Sequence, residues 1–250
     1  MKNGFTLLER ILGCGYQAEE NTGKHKRDKA FTLAEVLITL VIIGVIGALT
    51  VPALIQNTHK QEYVSALKKA YSTLSQAAQA IIAEEGNPKC TGEDGSESGW
   101  ACSADDVHKY FTKYLLTAKD CGTAEGCFPQ QRLKLLNGYK ESDNRDDSRW
   151  RNFVTADGMQ FGVPDGWVNK SCELAFPGGD MVYPKNLCAA IQADVNGAKG
   201  PNQIGRDVFV FGLKENGIFP LECSGENTCR TNSTGWSCAC KVLTDGALNY

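Results

Sequence analysis

From Val36 to Ile55 the chain runs twenty residues without a charged side chain, and only Thr39, Thr50 and Pro52 depart from its apolar character. At ~1.5 Å rise per residue, a helix of that length covers the ~30 Å hydrocarbon core of a bilayer. No other constraint on the fold is as strong, because such a run needs lipid or other protein around it. A basic cluster (Lys24, Lys26, Arg27, Lys29) stands just before it, and one acid, Glu35, sits at its mouth. Basic residues on the N-terminal flank hold that end in the cytoplasm, which sends the rest of the chain to the far side.

The residues K-A-F-T-L-A-E-V-L-I-T-L-V-I-I-G, from Lys29 to Gly44, carry more than hydropathy. They resemble the N-terminal signature of type IV pilins and type II secretion pseudopilins. In that family a basic leader is cut just before a Phe or Met, which becomes the first mature residue. Glu stands at mature position five and often Pro at position twenty-two. Counted from Phe31, Glu35 is the fifth residue and Pro52 the twenty-second. The resemblance implies a leader over residues 1–30, cleavage between Ala30 and Phe31, and N-methylation of Phe31. It implies Glu35 as the assembly residue, neutralising the terminal amine of a neighbour in apolar surroundings where charges interact strongly. It also implies prepilin peptidase/N-methyltransferase, other pilin or pseudopilin subunits and an inner-membrane assembly platform as partners. The chain departs from the family at Ala30, where Gly is preferred. Upstream, Gly4-Phe5 and Glu9 repeat the register, but the residues after them are charged and too short to span, so they read as a decoy, a remnant or a misassigned start.

Composition agrees with an exported, folded head. Charged residues make up 22 % and hydrophobic residues 42 % of the chain, as in globular proteins. Residues 1–30 hold six basic and four acidic side chains, so their loss takes the formal charge from −3 to −5. Bulk charge therefore gives no indication of nucleic-acid binding. Of the 11 cysteines, cleavage removes only Cys14. The others (Cys90, Cys102, Cys121, Cys127, Cys172, Cys188, Cys223, Cys229, Cys238, Cys240) all follow the apolar run, as disulfides formed in an oxidising compartment would. No C-x-x-C spacing supports a zinc site. Connectivity is open, with Cys121–Cys127 and Cys172–Cys188 the simplest pairs.

Beyond Asn57 the spacing Tyr63, Leu67, Ala70, Leu74, Ala77, Ile81 marks one apolar seam, with Gln61, Glu62, Ser65, Lys68, Lys69, Ser72 and Gln76 opposite. Gly86 and Pro88 end the pattern. One helix over 31–85, about 80 Å long, is expected, transmembrane in 31–55 and amphipathic thereafter. Pro52 removes a backbone hydrogen bond inside it and marks a kink.

After Asn87, Gly, Ser, Asp, Asn and Cys become frequent. Asp105–Leu116 reads as a short helix and Gly138–Arg149 as a loop. Phe153–Val163 reads as a hairpin about Asp157-Gly158, with further strands at Cys188–Val195 and Asp207–Leu213. The tail after Cys223 shows no periodicity. The expected fold is α+β: a long N-terminal helix packed on a small antiparallel sheet of about four strands, with disulfide-rich loops, in a head covering 87–250.

Asp194, Asn196, Asn202 and Asp207 surround a glycine-rich turn. Oxygen donors of this kind suit Ca²⁺, as in the head loop of some pseudopilins, but Asx and Gly also build ordinary turns. His108 reads as a solvated helix residue without a nucleophile, so no catalytic residues are expected. Trp100, Trp150, Trp167 and Trp236 read as packing residues or as a ligand surface. The expected function is structural: a filament subunit at the inner membrane, then in a periplasmic or extracellular filament, and of minor type because its head is large and cysteine-rich. The alternative is a membrane-anchored or tip-displayed binding module.

Overall fold

The computed structural model describes residues 31–86, 90–91, 97–98, 103–129, 132–140, 145–174, 186–221 and 229–250. Residues 1–30, with Ala30, the expected leader and Gly4-Phe5, and also Trp100, Cys102 and Cys223, lie outside the described residues. The chain divides into two compact units, Met1–Thr50 and Val51–Tyr250.

Helix α1 runs from Leu33 to Glu85 without interruption, through Pro52. Proline donates no hydrogen bond, so the Ala48 carbonyl is left without its helical partner. Among the described residues of the first unit the large apolar side chains are exposed: Phe31 is 84 % exposed, Leu49 75 % and Ile43 66 %. Across Phe31–Leu49 each such side chain is worth ~1.5–3 kcal/mol in burial, a sum well above the ~5–15 kcal/mol stability of a whole domain. This segment therefore requires a non-aqueous host. The α1 helix is long and apolar enough to cross a membrane.

In the second unit α1 becomes one wall of a core. Val64, Leu67, Ala70, Leu74, Ala77, Ala78 and Ile81 are buried, and Tyr71 stacks on Phe211 at 5.9 Å. Every polar residue expected opposite that seam is exposed. Gly86, at φ +75°, follows the last helical residue, a conformation that suits glycine at a helix end.

A two-residue ribbon pairs β1 (Cys90–Thr91) with β2 (Glu97–Ser98). Helix α2 (Ala104–Tyr114) starts at a reciprocal cap: Ser103 Oγ accepts from Asp106 N–H, and the Asp106 carboxylate accepts from Ser103 N–H. Then come β3 (Thr117–Gly122), β4 (Trp150–Thr155), β5 (Gln160–Pro164), β6 (Ala189–Asp194), β7 (Val208–Lys214) and β8 (Gly217–Pro220). They form one antiparallel sheet in sequence order, so every neighbour is a sequential neighbour. Helix α3 (Cys238–Asp245) closes the chain.

The main sheet has six strands, not about four. The two extra strands are edges: β3 is largely exposed and carries irregular register, and β8 has four residues, so neither shows the alternation by which strands are read. The tail also differs from expectation, since α3 is a helix. It spans eight residues, too few to display a period, and is anchored by Cys229–Cys238 and ended by Gly246 in the left-handed conformation. The Asp157-Gly158 hairpin is present, with Lys69 of α1 bonded to Asp157 at 2.8 Å.

Alternation divides the sheet into two faces. Phe153, Phe161, Ile191, Ala193, Phe209, Phe211 and Leu213 join the α1 seam and α2 in the larger core. The other face carries Trp150, Asn152, Gly162, Gln192, Asp194 and Val210, and is covered by the chain around Phe128 and Arg145, by Leu174 and by Trp236. Trp150, Trp167 and Trp236 stand in file, with ring centroids 5.9 and 5.4 Å apart.

Candidate functional site

The first turn of α1 closes on itself through a second reciprocal cap, made by Thr32 and Glu35. Thr32 N–H and Thr32 Oγ1 both donate to Glu35 Oε2 at 2.8 Å, and Glu35 N–H donates to Thr32 Oγ1 at 3.2 Å. A free helix start leaves backbone N–H groups without acceptors, and the T-x-x-E pattern satisfies them locally. Negative charge is also favoured at this end of the helix dipole. Sequence reading singled out Glu35 and passed over Thr32, although the capping pattern was there to find. Both residues are exposed, and Phe31 precedes them, also exposed. The structure thus places Phe31 and Glu35 at one end of an uncovered apolar helix. It holds the carboxylate in place without any basic partner among the described residues.

Of the four oxygen-bearing residues of the Asp194–Asp207 turn, Asp194, Asn202 and Asp207 are buried and Asn196 is half-buried, and the charge of Asp207 is felt at Asp194. Asp194 Oδ2 accepts from Arg145 Nη2 at 3.2 Å, and Arg145 Nη1 reaches Gln192 Oε1 at 3.4 Å. The guanidinium lies 4.2 Å from the centre of the Phe128 ring. Asp207 accepts from the backbone N–H of Asn202 and Gln203 at 2.8 and 2.7 Å. Asn196 Nδ2 donates to the Gly200 carbonyl at 3.1 Å. The Oδ1 atoms of Asp194, Asn196 and Asn202 are buried without a hydrogen-bond partner among the described residues. Burial pushes Asp194 up to about 7, with Arg145 opposing the shift and the charge of Asp207 adding to it. Burial also raises Asp207, against the two backbone N–H groups. Next to Arg145, Asp146 accepts from the N–H groups of Gly126, Cys127 and Phe128 and fixes that turn. Among the described residues no group of three or more His, Cys, Asp or Glu is placed to hold a metal. Arg145 gave no sequence signal: it lies in a polar stretch that reads as a surface loop.

His108 differs from its reading as a solvated residue. Its side chain is 13 % exposed, Nε2 lies 2.8 Å from Asp120 Oδ1, and the ring meets Phe153 edge-on at 5.7 Å. Its position on α2 opposite β3 leads it inward, where the strand supplies an acid. Bonds join Cys121 to Cys127, Cys172 to Cys188 and Cys229 to Cys238, and Cys240 is also disulfide-bonded.

No curated protein and no solved structure matches the chain. Residues 25–51 match the family described as the prokaryotic N-terminal methylation motif, the prepilin signature of type IV pilins and pseudopilins.

Proposed function

We propose that this chain is a minor subunit of a type IV pilus or type II secretion pseudopilus. Prepilin peptidase cuts it between Ala30 and Phe31 and methylates the new amine of Phe31. The helix anchors the subunit in the inner membrane, N-terminus in the cytoplasm and head outside, and later joins other subunits and the assembly platform. Glu35 then exchanges its local partner Thr32 for the terminal amine of a neighbour. The observation that carries this reading is the bare apolar face of Phe31–Val51 with a single acid in its first turn, inside the matched motif. Disulfides in the head suit a compartment outside the cytoplasm. The size of that head is the reason for the minor role. Intact mass and N-terminal sequencing of the membrane-extracted protein test it. A chain starting at methylated Phe31 is expected; a chain starting at Met1 would overturn processing.

A second reading, a filament-tip binding module with a calcium loop, is favoured by the three buried oxygens of Asp194, Asn196 and Asn202 that lack hydrogen-bond partners among the described residues. Arg145 beside Asp194 and the two N–H groups on Asp207 weigh against it. Adding Ca²⁺ to chelator-treated protein decides: a rise in Tm supports the reading, and an unchanged Tm removes it.

A further inference from the structure

A cavity of about 550 Å³ opens in the second unit, between the early turns of its part of α1, the Gly200–Arg206 turn and the C-terminal residues. Its lining divides by chemistry. His59, Lys60 and Arg206 supply cationic or ionisable groups, while Tyr63, Pro201 and Tyr250 supply apolar and aromatic surface. Lys60 and Arg206 are exposed, and neither has an ion-pair partner among the described residues. Both tyrosine hydroxyls are already committed, Tyr63 to the Gly200 carbonyl at 3.4 Å and Tyr250 to the Gly205 carbonyl. Burial raises both phenols above their ordinary value, so they stay neutral and add no negative charge. The acids at hand are occupied: Glu62 holds His59 Nδ1 at 3.1 Å, and Asp207 takes backbone N–H groups.

Two unpaired cations of different geometry, a forked guanidinium and a flexible ammonium, are a recurrent means of holding phosphate oxygens. Sequence position narrows the source. His59 and Lys60 follow Ile55, the last residue of the apolar run, by four and five residues on one helix. Long basic side chains just past the end of a spanning segment reach the lipid headgroup layer, where phosphate oxygens lie. The cavity is also larger than a phosphate ion needs, which leaves room for a glycerol headgroup.

We propose that the cavity ringed by His59, Lys60 and Arg206 binds a phosphate group, carried by an anionic phospholipid headgroup or free in solution. The full chain is purified in detergent, exchanged into equal phosphatidylglycerol and phosphatidylcholine, and its retained lipids are counted by native mass spectrometry. Wild type is expected to retain phosphatidylglycerol at least five-fold over phosphatidylcholine. Lys60→Ala/Arg206→Ala is expected to fall to parity, while the charge-preserving Lys60→Arg/Arg206→Lys keeps at least half the preference. Lys68→Ala/Lys109→Ala removes the same charge outside the cavity and is expected to change nothing. Displacement of the lipid by millimolar inorganic phosphate supports the site and assigns it to soluble phosphate; resistance to displacement assigns it to lipid. Parity in the wild type, full retention in the alanine pair, or an equal loss in the control pair overturns the proposal. None of these readouts depends on filament assembly.

Discussion

Arg145 and Asp194 meet at 3.2 Å across 49 residues of sequence, with 2 % and 0 % of their side chains exposed. A pair so far from water contributes little net stability when intact, but losing one partner strands a buried charge. Arg145→Met is expected to destabilise the head by about 3–5 kcal/mol. Arg145→Met/Asp194→Leu is expected to recover at least half of that, as read from urea unfolding.

The same network sets a pH dependence. Asp194 is raised from an ordinary 3.8 to about 7, and Asp207 is raised as well, both by burial. The folded protein therefore binds these protons more tightly than the unfolded chain. Their contribution to stability is fully present below about pH 4 and is lost as pH climbs through 7. Hydrogen bonds to Arg151 and Arg149 lower Asp105 and Asp147, with burial opposing. Burial alone would raise Asp157, but hydrogen bonds from Lys69 and Thr155 outweigh it and lower that carboxyl too. The opposite effect of these three acids lies below 3.8. Melting between pH 5 and 8 is expected to show a falling Tm that Asp194→Asn flattens. A Tm that rises over this range would contradict the assignment.

Glu35 caps the helix start through Thr32 and also carries a charge, and substitution separates the two. Glu35→Gln keeps an oxygen for Thr32 but carries no charge, whereas Glu35→Ala removes both. If the carboxylate neutralises a neighbour's amine, both variants stay in the membrane and both drop at least ten-fold in sheared filaments. Wild-type incorporation of Glu35→Gln would reduce the residue to a helix cap.

Gly162 is required by close packing on the sheet. A methyl there would sit 2.7 Å from Asn152 Oδ1 and 2.9 Å from Trp150 Cε3. Gly162→Ala is expected to cost ~1–3 kcal/mol, whereas Gly166→Ala, which meets nothing within 4 Å, should melt like the wild type.

Cys121–Cys127 closes a short loop at the exposed β3 edge. A loop of this size contributes about 2 kcal/mol by chain entropy. Cys121→Ala/Cys127→Ala should therefore lower stability by roughly that amount and leave the other bridges in place. Non-reducing peptide mapping checks the three described pairs directly.

Much of this was legible in the sequence wherever one period dominates. The seam from Leu67 to Ile81 survives because a helix returns a side chain to the same face every three or four residues. The β4–β5 hairpin survives because Asp157-Gly158 has few other uses. What was hidden depends on partners far away in sequence. Nothing near Arg145 announces Asp194, and nothing near His108 announces Asp120. The edge strands β3 and β8 exist because β4 and β7 offer them hydrogen bonds, and a single strand's composition does not record that offer. At the N-terminus the reverse holds: Phe31, Thr32 and Glu35 lie within five residues, so their pattern is local and readable.

The cover over both sheet faces constrains what the head can greet. With α1 and α2 on one side and Phe128, Arg145, Leu174 and Trp236 on the other, no broad β surface is left among the described residues to dock against. The edges are poor hosts too. β3 breaks its register twice and shows Lys119 and Asp120, and β8 stops after four residues at Pro220. Among the described residues the sheet offers a visitor no long, regular edge. Among the described residues, loops and helix surfaces are what stay open to a partner, and they are the parts of such a molecule freest to diversify without unsettling the frame.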